Sequence, residues 1–169
     1  VRVDSKPYED LTPDAVLDAL ESIGLRGDGR MLGLNSYENR VYQISLEDNS
    51  HVVAKFYRPN RWTDAQILEE HAFGLELAGR EIPVVAPRVL AGKTLHAFKG
   101  YRFAVYDRRG GRPPELEDEK VLEWIGRFLA RIHTVGAARP FVQRPALDLR
   151  HFGTDSRDWL LAHERVPLD

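Results

Sequence analysis

Five lysines stand among nineteen arginines in the 169 residues, so each lysine can be weighed singly. Lys55 lies inside the run Val52-Val53-Ala54-Lys55-Phe56-Tyr57. As a strand, that run places Val53 and Lys55 on one face. A small apolar residue two positions before a strand lysine can cap a purine while the ammonium meets its phosphates. The bland alternative is an exposed strand lysine, but the apolar flanks argue for partial burial, and a partly buried ammonium needs a partner. The next element offers one: Thr63-x-x-Gln66 is a capping box that opens a helix carrying Glu69, Glu70 and His71. Successive helical residues point about 100° apart, so one glutamate at most can meet Lys55. Glu70 is the choice, because Phe73 and Leu77 follow at three and seven residues and set it beside the buried stripe. Upstream, Asn35-Ser36-Tyr37-Glu38-Asn39-Arg40 forms a polar turn between two strands, whose N–H groups and hydroxyls can cover phosphates.

Other motifs dissolve on inspection. Gly92-Lys93-Thr94 resembles the end of a phosphate-binding P-loop, but the glycine required five residues earlier is Pro87, so a turn between strands is expected. Arg26-Gly27-Asp28 reads as a glycine turn. The six histidines include no His-Glu-x-x-His and no pair at helical spacing with a carboxylate, so a protein metal site is not expected. Zero cysteines exclude disulfides, thiolate metal sites and cysteine nucleophiles.

The elements that must position Lys55 and Glu70 follow from local signals. Thr12 caps a helix with Pro13 at its first position, Leu11 able to staple to Val16, and Gly24 as its stop. Strands are expected at Met31–Leu34, Arg40–Leu46 and His51–Tyr57, with Tyr42, Ile44 and Leu46 on one face and Glu47–Ser50 as a hairpin turn. The capped helix runs to about Ala78. Val89–Leu90, Thr94–Ala97 and Tyr101–Tyr106 read as further strands, and Gly110-Gly111-Arg112-Pro113-Pro114 as a linker. A helix from about Glu119 to Val135 carries Val121, Ile125, Phe128, Leu129 and Ile132 at helical spacing, opposite Glu123, Arg127 and Arg131. Asp155 or Ser156 is expected to cap a last short helix through His163, before Val166-Pro167-Leu168-Asp169. Hairpin-linked strands imply an antiparallel sheet, and the fold class is α+β.

Composition agrees. A 43% hydrophobic and 30% charged chain can build a core and a soluble surface. A net charge of −2 argues against nucleic acid or an anionic membrane as the main partner. No run approaches 18 apolar residues and Val1–Asp10 holds no apolar signal region; with zero cysteines a reducing, cytoplasmic setting fits, as do other compartments.

Leu34–Tyr42, Val53–Pro59, Ile67–His71, Phe103–Tyr106 with Gly110-Gly111-Arg112, and Gly126–His133 together resemble the bacterial stress-response protein kinases of the aminoglycoside phosphotransferase and choline kinase superfamily. The resemblance runs colinearly over nearly the whole chain, and Asn-Ser-Tyr-Glu-Asn-Arg is its distinctive block. It implies a kinase-like small lobe with hinge over residues 1–112, then a mostly helical linker and the beginning of a large lobe over 113–169. It implies an ATP- and Mg2+-dependent kinase acting on Ser or Thr of proteins in a stress response. The rivals are a small-molecule kinase of the aminoglycoside, choline or homoserine kinase type, and a non-catalytic nucleotide-binding module.

Position by position, Ser36 matches the nucleotide-contacting serine, and Tyr37, Glu38 and Asn39 match the turn that replaces a glycine-rich loop. Val53 lies on the nucleotide side, Lys55 and Glu70 match the ion pair, and Val105, Tyr106 and Asp107 match the hinge that binds adenine through its backbone. The family's His-Gly-Asp-x-His-x-x-Asn loop and its metal-binding Asp motif do not occur in these residues. The expectation is therefore a fragment, inactive alone, with catalytic base and Mg2+ ligands beyond residue 169. ATP and a protein substrate are the expected partners of the whole enzyme, and self-association that of the fragment.

Overall fold

The computed structural model describes residues 7–165. Five strands form one antiparallel sheet: β1 (Gly27–Leu34), β2 (Arg40–Leu46), β3 (His51–Phe56), β4 (His96–Phe98) and β5 (Tyr101–Asp107), ordered β1-β2-β3-β5-β4. Helix α1 (Pro13–Glu21) covers one face and α2 (Asp64–Gly79) follows β3 onto the other. Helices α3 (Glu119–Ala137) and α4 (Asp155–Ala162) come after the hinge.

Alternation in the sheet divides its residues between two tasks. Ile44 and Leu46 of β2, Val52, Ala54 and Phe56 of β3, and Phe103 and Val105 of β5 all face α1. There they meet Val16, Ala19 and Leu20, which are wholly buried. Phe56 and Phe103 stack with ring centroids 5.2 Å apart. Each fully buried valine, leucine, isoleucine or phenylalanine contributes about 1.5–3 kcal/mol by leaving water. With one face providing this core, the opposite face of the same strands can hold polar chemistry: Val53, Lys55, Ala104 and Tyr106.

Local signals set the frame. The Thr12 hydroxyl accepts from the Ala15 N–H at 3.2 Å, and Thr63 and Gln66 form the full reciprocal capping box. The β4–β5 hairpin turns on Lys99 and Gly100, both at positive φ, which matches the twist of its strands.

Four expectations are corrected. Strand β1 begins at Gly27 rather than Met31: its register slips between those residues, with Gly29 at φ +91°, so the stretch expected as a glycine turn is a bulged strand. Helix α1 approaches Gly27 closely: a Cβ there would stand 2.6 Å from the Leu17 Cδ2, so the end of that side chain would have to shift. Val89–Leu90 is not a strand, because Leu90 and Lys93 exchange N–H···O bonds around left-handed Ala91 and Gly92 and close a tight turn. The neighbouring strand accordingly falls at His96–Phe98 rather than Thr94–Ala97. Helix α4 has no side-chain cap: it continues directly from a π-helical turn at Arg150–Thr154. Val166–Asp169 lie outside the described residues, as do Val1–Lys6.

Helix α3 docks through one end. Val135 is buried with Leu77 and Ile82, joined by Phe73, Val84 and Ile132, and Arg131 donates to the Arg80 and Glu81 carbonyls at the end of α2. Beyond it, Leu147, Leu149, Phe152 and Trp159 stand in solvent, Leu149 at 89% exposure. Among the described residues no helix is long and apolar enough to cross a membrane. Soluble monomers rarely expose apolar patches beyond roughly 300–600 Å². The 169-residue chain by itself is therefore expected to self-associate in light scattering at micromolar concentration. A clean monomer there would show that these side chains find cover within the chain.

Candidate functional site

Lys55 sits mid-strand in β3 and extends from the face that α1 does not cover. Its Nζ lies 3.1 Å from Glu70 Oε1 on α2, an ion pair with the lysine side chain 23% exposed. The ammonium also lies 4.6 Å from the centroid of the Tyr57 ring. Glu70 meets a second cation, as Arg144 Nη1 donates to Oε2 at 2.5 Å. Burial alone would raise the Glu70 carboxyl, but Lys55 and Arg144 outweigh it and hold the group below its ordinary range. Glu70 is thus ionised near neutrality.

The pair borders a cleft of about 380 Å³ lined by Val41, Val53, Lys55, Glu70, Val85, Tyr106, Asp107 and Arg109. Three valines make apolar walls, the Lys55–Glu70 pair forms the charged end, and the β5 terminus forms the rim. Asp107 there is bonded by Arg88 at 2.7 Å, with Arg109 at 3.6 Å. A flat apolar ring bearing an anionic tail fits such a cleft: ring between valines, anion toward Lys55.

Of the residues singled out from sequence, Val53, Lys55, Glu70, Tyr106 and Asp107 come together in this cleft. Val105 does not line it. Its side chain is wholly buried toward α1, and its carbonyl accepts from the Arg88 N–H at 2.7 Å. Ser36 and Tyr37 stand exposed in the β1–β2 turn, whereas Glu38 and Asn39 anchor it. Glu38 pairs with Arg61 and accepts from Trp62 Nε1 at 3.2 Å, and its carbonyl accepts from the Tyr8 hydroxyl at 2.9 Å. Asn39 Oδ1 accepts from the Arg58 N–H. The turn is therefore tied at one end and free at its serine end.

Two groupings were not read from sequence. Arg144, with the backbone N–H groups of residues 142–144, engages Glu69 and Glu70 from more than seventy residues away. Beneath the cleft, Tyr106, Tyr57, His71 and Thr94 form a chain of bonds at 3.2, 2.7 and 2.9 Å. His71 is buried, and burial lowers its pKa from 6.5 to about 4, against the pull of Glu70. The imidazole is neutral. The only local hint was a histidine on the inward stripe of α2, four residues from Ile67.

Comparison with known proteins adds three findings. The phosphotransferase enzyme family model matches residues 31–167. Stress response kinase A of Escherichia coli strain K12 is 45% identical over 150 residues, 89% of this chain and 46% of that protein. The serine/threonine protein kinase RdoA of Salmonella typhimurium strain LT2 is 45% identical over 145 residues, 86% of this chain and 44% of that protein. The chain thus spans about half the length of the curated relatives it matches. Among solved structures, the amicoumacin kinase hAmiN in complex with AMP-PNP, Ca2+ and Ami superposes with a TM-score of 0.65. That match covers 96% of this chain and 56% of that one at 19% identity, which establishes the shared fold.

The depressed His71 pKa gives a stability signature. Between the ordinary value of 6.5 and about 4 the unfolded chain binds a proton that the folded chain does not. Stability from this residue is therefore complete above pH 6.5 and is lost as pH falls toward 4. Urea midpoints from pH 7 to 4.5 are expected to fall more steeply for the parent than for His71→Gln. Parallel slopes would show that the imidazole is not held neutral by the fold.

Proposed function

The chain belongs to the phosphotransferase enzyme family, and from that premise we propose that the whole protein is an ATP-dependent kinase transferring the γ-phosphate to Ser or Thr of proteins. The observation that carries the reading is the Lys55–Glu70 pair at 3.1 Å, directed into the valine-walled cleft. Support for a protein acceptor comes from the printed name of the RdoA relative, and support for a role in stress from the stress response kinases.

Phosphoryl transfer is mostly positioning and electrostatic stabilisation, and the residues divide accordingly. Val41, Val53 and Val85 would sandwich the base. The backbone at the Tyr106–Asp107 end of β5 would read it, the Val105 carbonyl being already bonded by the Arg88 N–H. Lys55 would meet the α- and β-phosphates, and Glu70 would hold Lys55 extended. Ser36 and Tyr37 would cover the phosphates from the free end of a turn that Glu38 and Asn39 keep in place. A divalent cation supplies charge neutralisation at the transferred phosphate in such reactions. Among the described residues no group of three or more His, Asp or Glu could hold one. This chain's own part is to bind and orient.

The test is the whole protein with labelled ATP, offered protein and small-molecule acceptors. Label on Ser or Thr of protein is expected. Label on small molecules alone would move the acceptor class, and nucleotide binding without transfer would make the protein a binding module. Lys55→Ala is expected to cut transfer by about 10²–10³-fold, the cost of losing one preorganised charge partner. Its circular dichroism and thermal midpoint should stay near the parent's. Normal autophosphorylation by folded Lys55→Ala protein would refute the assignment.

A further inference from the structure

Glu70 spends only one carboxylate oxygen on Lys55. The other accepts from Arg144, and the preceding residue is held by the same short segment. Glu69 Oε1 accepts from the Val142 N–H at 2.6 Å, and Oε2 accepts from Gln143 and Arg144 N–H at 2.9 and 2.7 Å. One turn earlier, Gln66 donates to the Gln143 carbonyl at 3.0 Å, and one turn later Phe73 meets Phe141 edge-on at 5.2 Å. Residues 66, 69, 70 and 73 share one flank of a helix. Residues 141–144 therefore grip α2 along that flank over two full turns.

Arg144 is itself held in place. Its guanidinium lies 4.4 Å from the centroid of the Trp62 ring, whose indole N–H bonds Glu38 of the β1–β2 turn. The same arginine thus joins the β1–β2 turn to the glutamate that faces the cleft. It does not line the cleft, so its influence on a bound nucleotide passes through Glu70.

The geometry points to Arg144 as a positioning residue for phosphoryl transfer: with the amides of residues 142–144 it forms a strap that holds α2 where Glu70 meets Lys55. This rests on the reading of Lys55 and Glu70 as the nucleotide-positioning pair. The arrangement explains why two adjacent glutamates serve one site. Glu69 takes the strap's backbone and sets the rotation of α2, and that rotation presents Glu70 to both cations. Arg144 also helps keep the Glu70 carboxyl ionised, so removing it leaves Lys55 facing a partner that protonates more readily.

The test is a double-mutant cycle in the whole protein, reading kcat, KM for ATP and the pH profile. Coupled neighbours share their losses rather than adding them. Arg144→Ala is expected to lower kcat by about tenfold or more, within the range of such couplings, with a smaller change in KM. Its acid limb should move to higher pH. Arg144→Ala with Glu70→Ala should be no worse than Glu70→Ala alone, and Arg144→Lys should recover part of the rate. Parent-like kcat for Arg144→Ala, or losses that simply multiply with Glu70→Ala, would overturn the strap while Lys55→Ala stays inactive. Full activity of Lys55→Ala would instead overturn the nucleotide-site reading beneath it. Where Arg144→Ala does not fold, Glu69→Gln weakens the amide grip with the arginine intact, and the same non-additivity with Glu70→Ala is required.

Discussion

A single carboxylate carries the arrangement. Glu70 places one oxygen on Lys55 and the other on Arg144, and neither cation has an easy substitute for it. Lys55 leaves a strand of valine, alanine and phenylalanine, where an unpaired ammonium would be costly. Arg144 lies against an indole face, away from bulk water on one side. Pairs of this kind are weak evidence for stability, because desolvation offsets attraction. Removing Glu70, however, strands both cations. The value of the cluster is therefore geometric: it defines where α2 stands relative to the sheet.

The rest of the fold supplies the conditions for that geometry. The α1 face takes the apolar core, so the cleft face is spared from packing duty. The antiparallel register places Lys55 opposite Ala104 and Val53 opposite Tyr106, with a small side chain where the lysine must pass. The capping box starts α2 at a defined residue, and Ile67, His71 and Leu77 fix its rotation from the inner side. The strap fixes it from the outer side.

What could be read from sequence follows the range of the forces involved. The caps at Thr12 and Thr63 and the turn at Glu47–Ser50 are decided within a few residues, and they appear where their residue types demand. The choice of Glu70 over Glu69 was legible because helix register is local and Phe73 and Leu77, three and seven residues on, lie on the same flank as Glu70. Arg144 was not legible. It lies in an irregular stretch between prolines, with no periodicity to give it a direction, and its carboxylate partner is 74 residues away. Gly27 misled for a related reason: glycine signals a turn in isolation, yet here it opens a strand and pairs with Leu46 of β2. Val105 was read as part of a hinge that acts through its backbone, and strand alternation turns its side chain to the core.

The buried hydroxyl chain beneath the cleft has a direction. A neutral imidazole offers one donor and one acceptor, and the links from Thr94 through His71 and Tyr57 to Tyr106 must be consistent with that choice. With the proton on the nitrogen facing Thr94, Tyr57 donates inward and takes the Tyr106 proton as its own partner, so the cleft wall shows a lone pair. With the proton on the other nitrogen, every bond reverses and Tyr106 has a proton free to offer. Two protein surfaces with identical atoms and opposite polarity are thus available at one wall of the cleft, and the tautomer of one shielded ring selects between them.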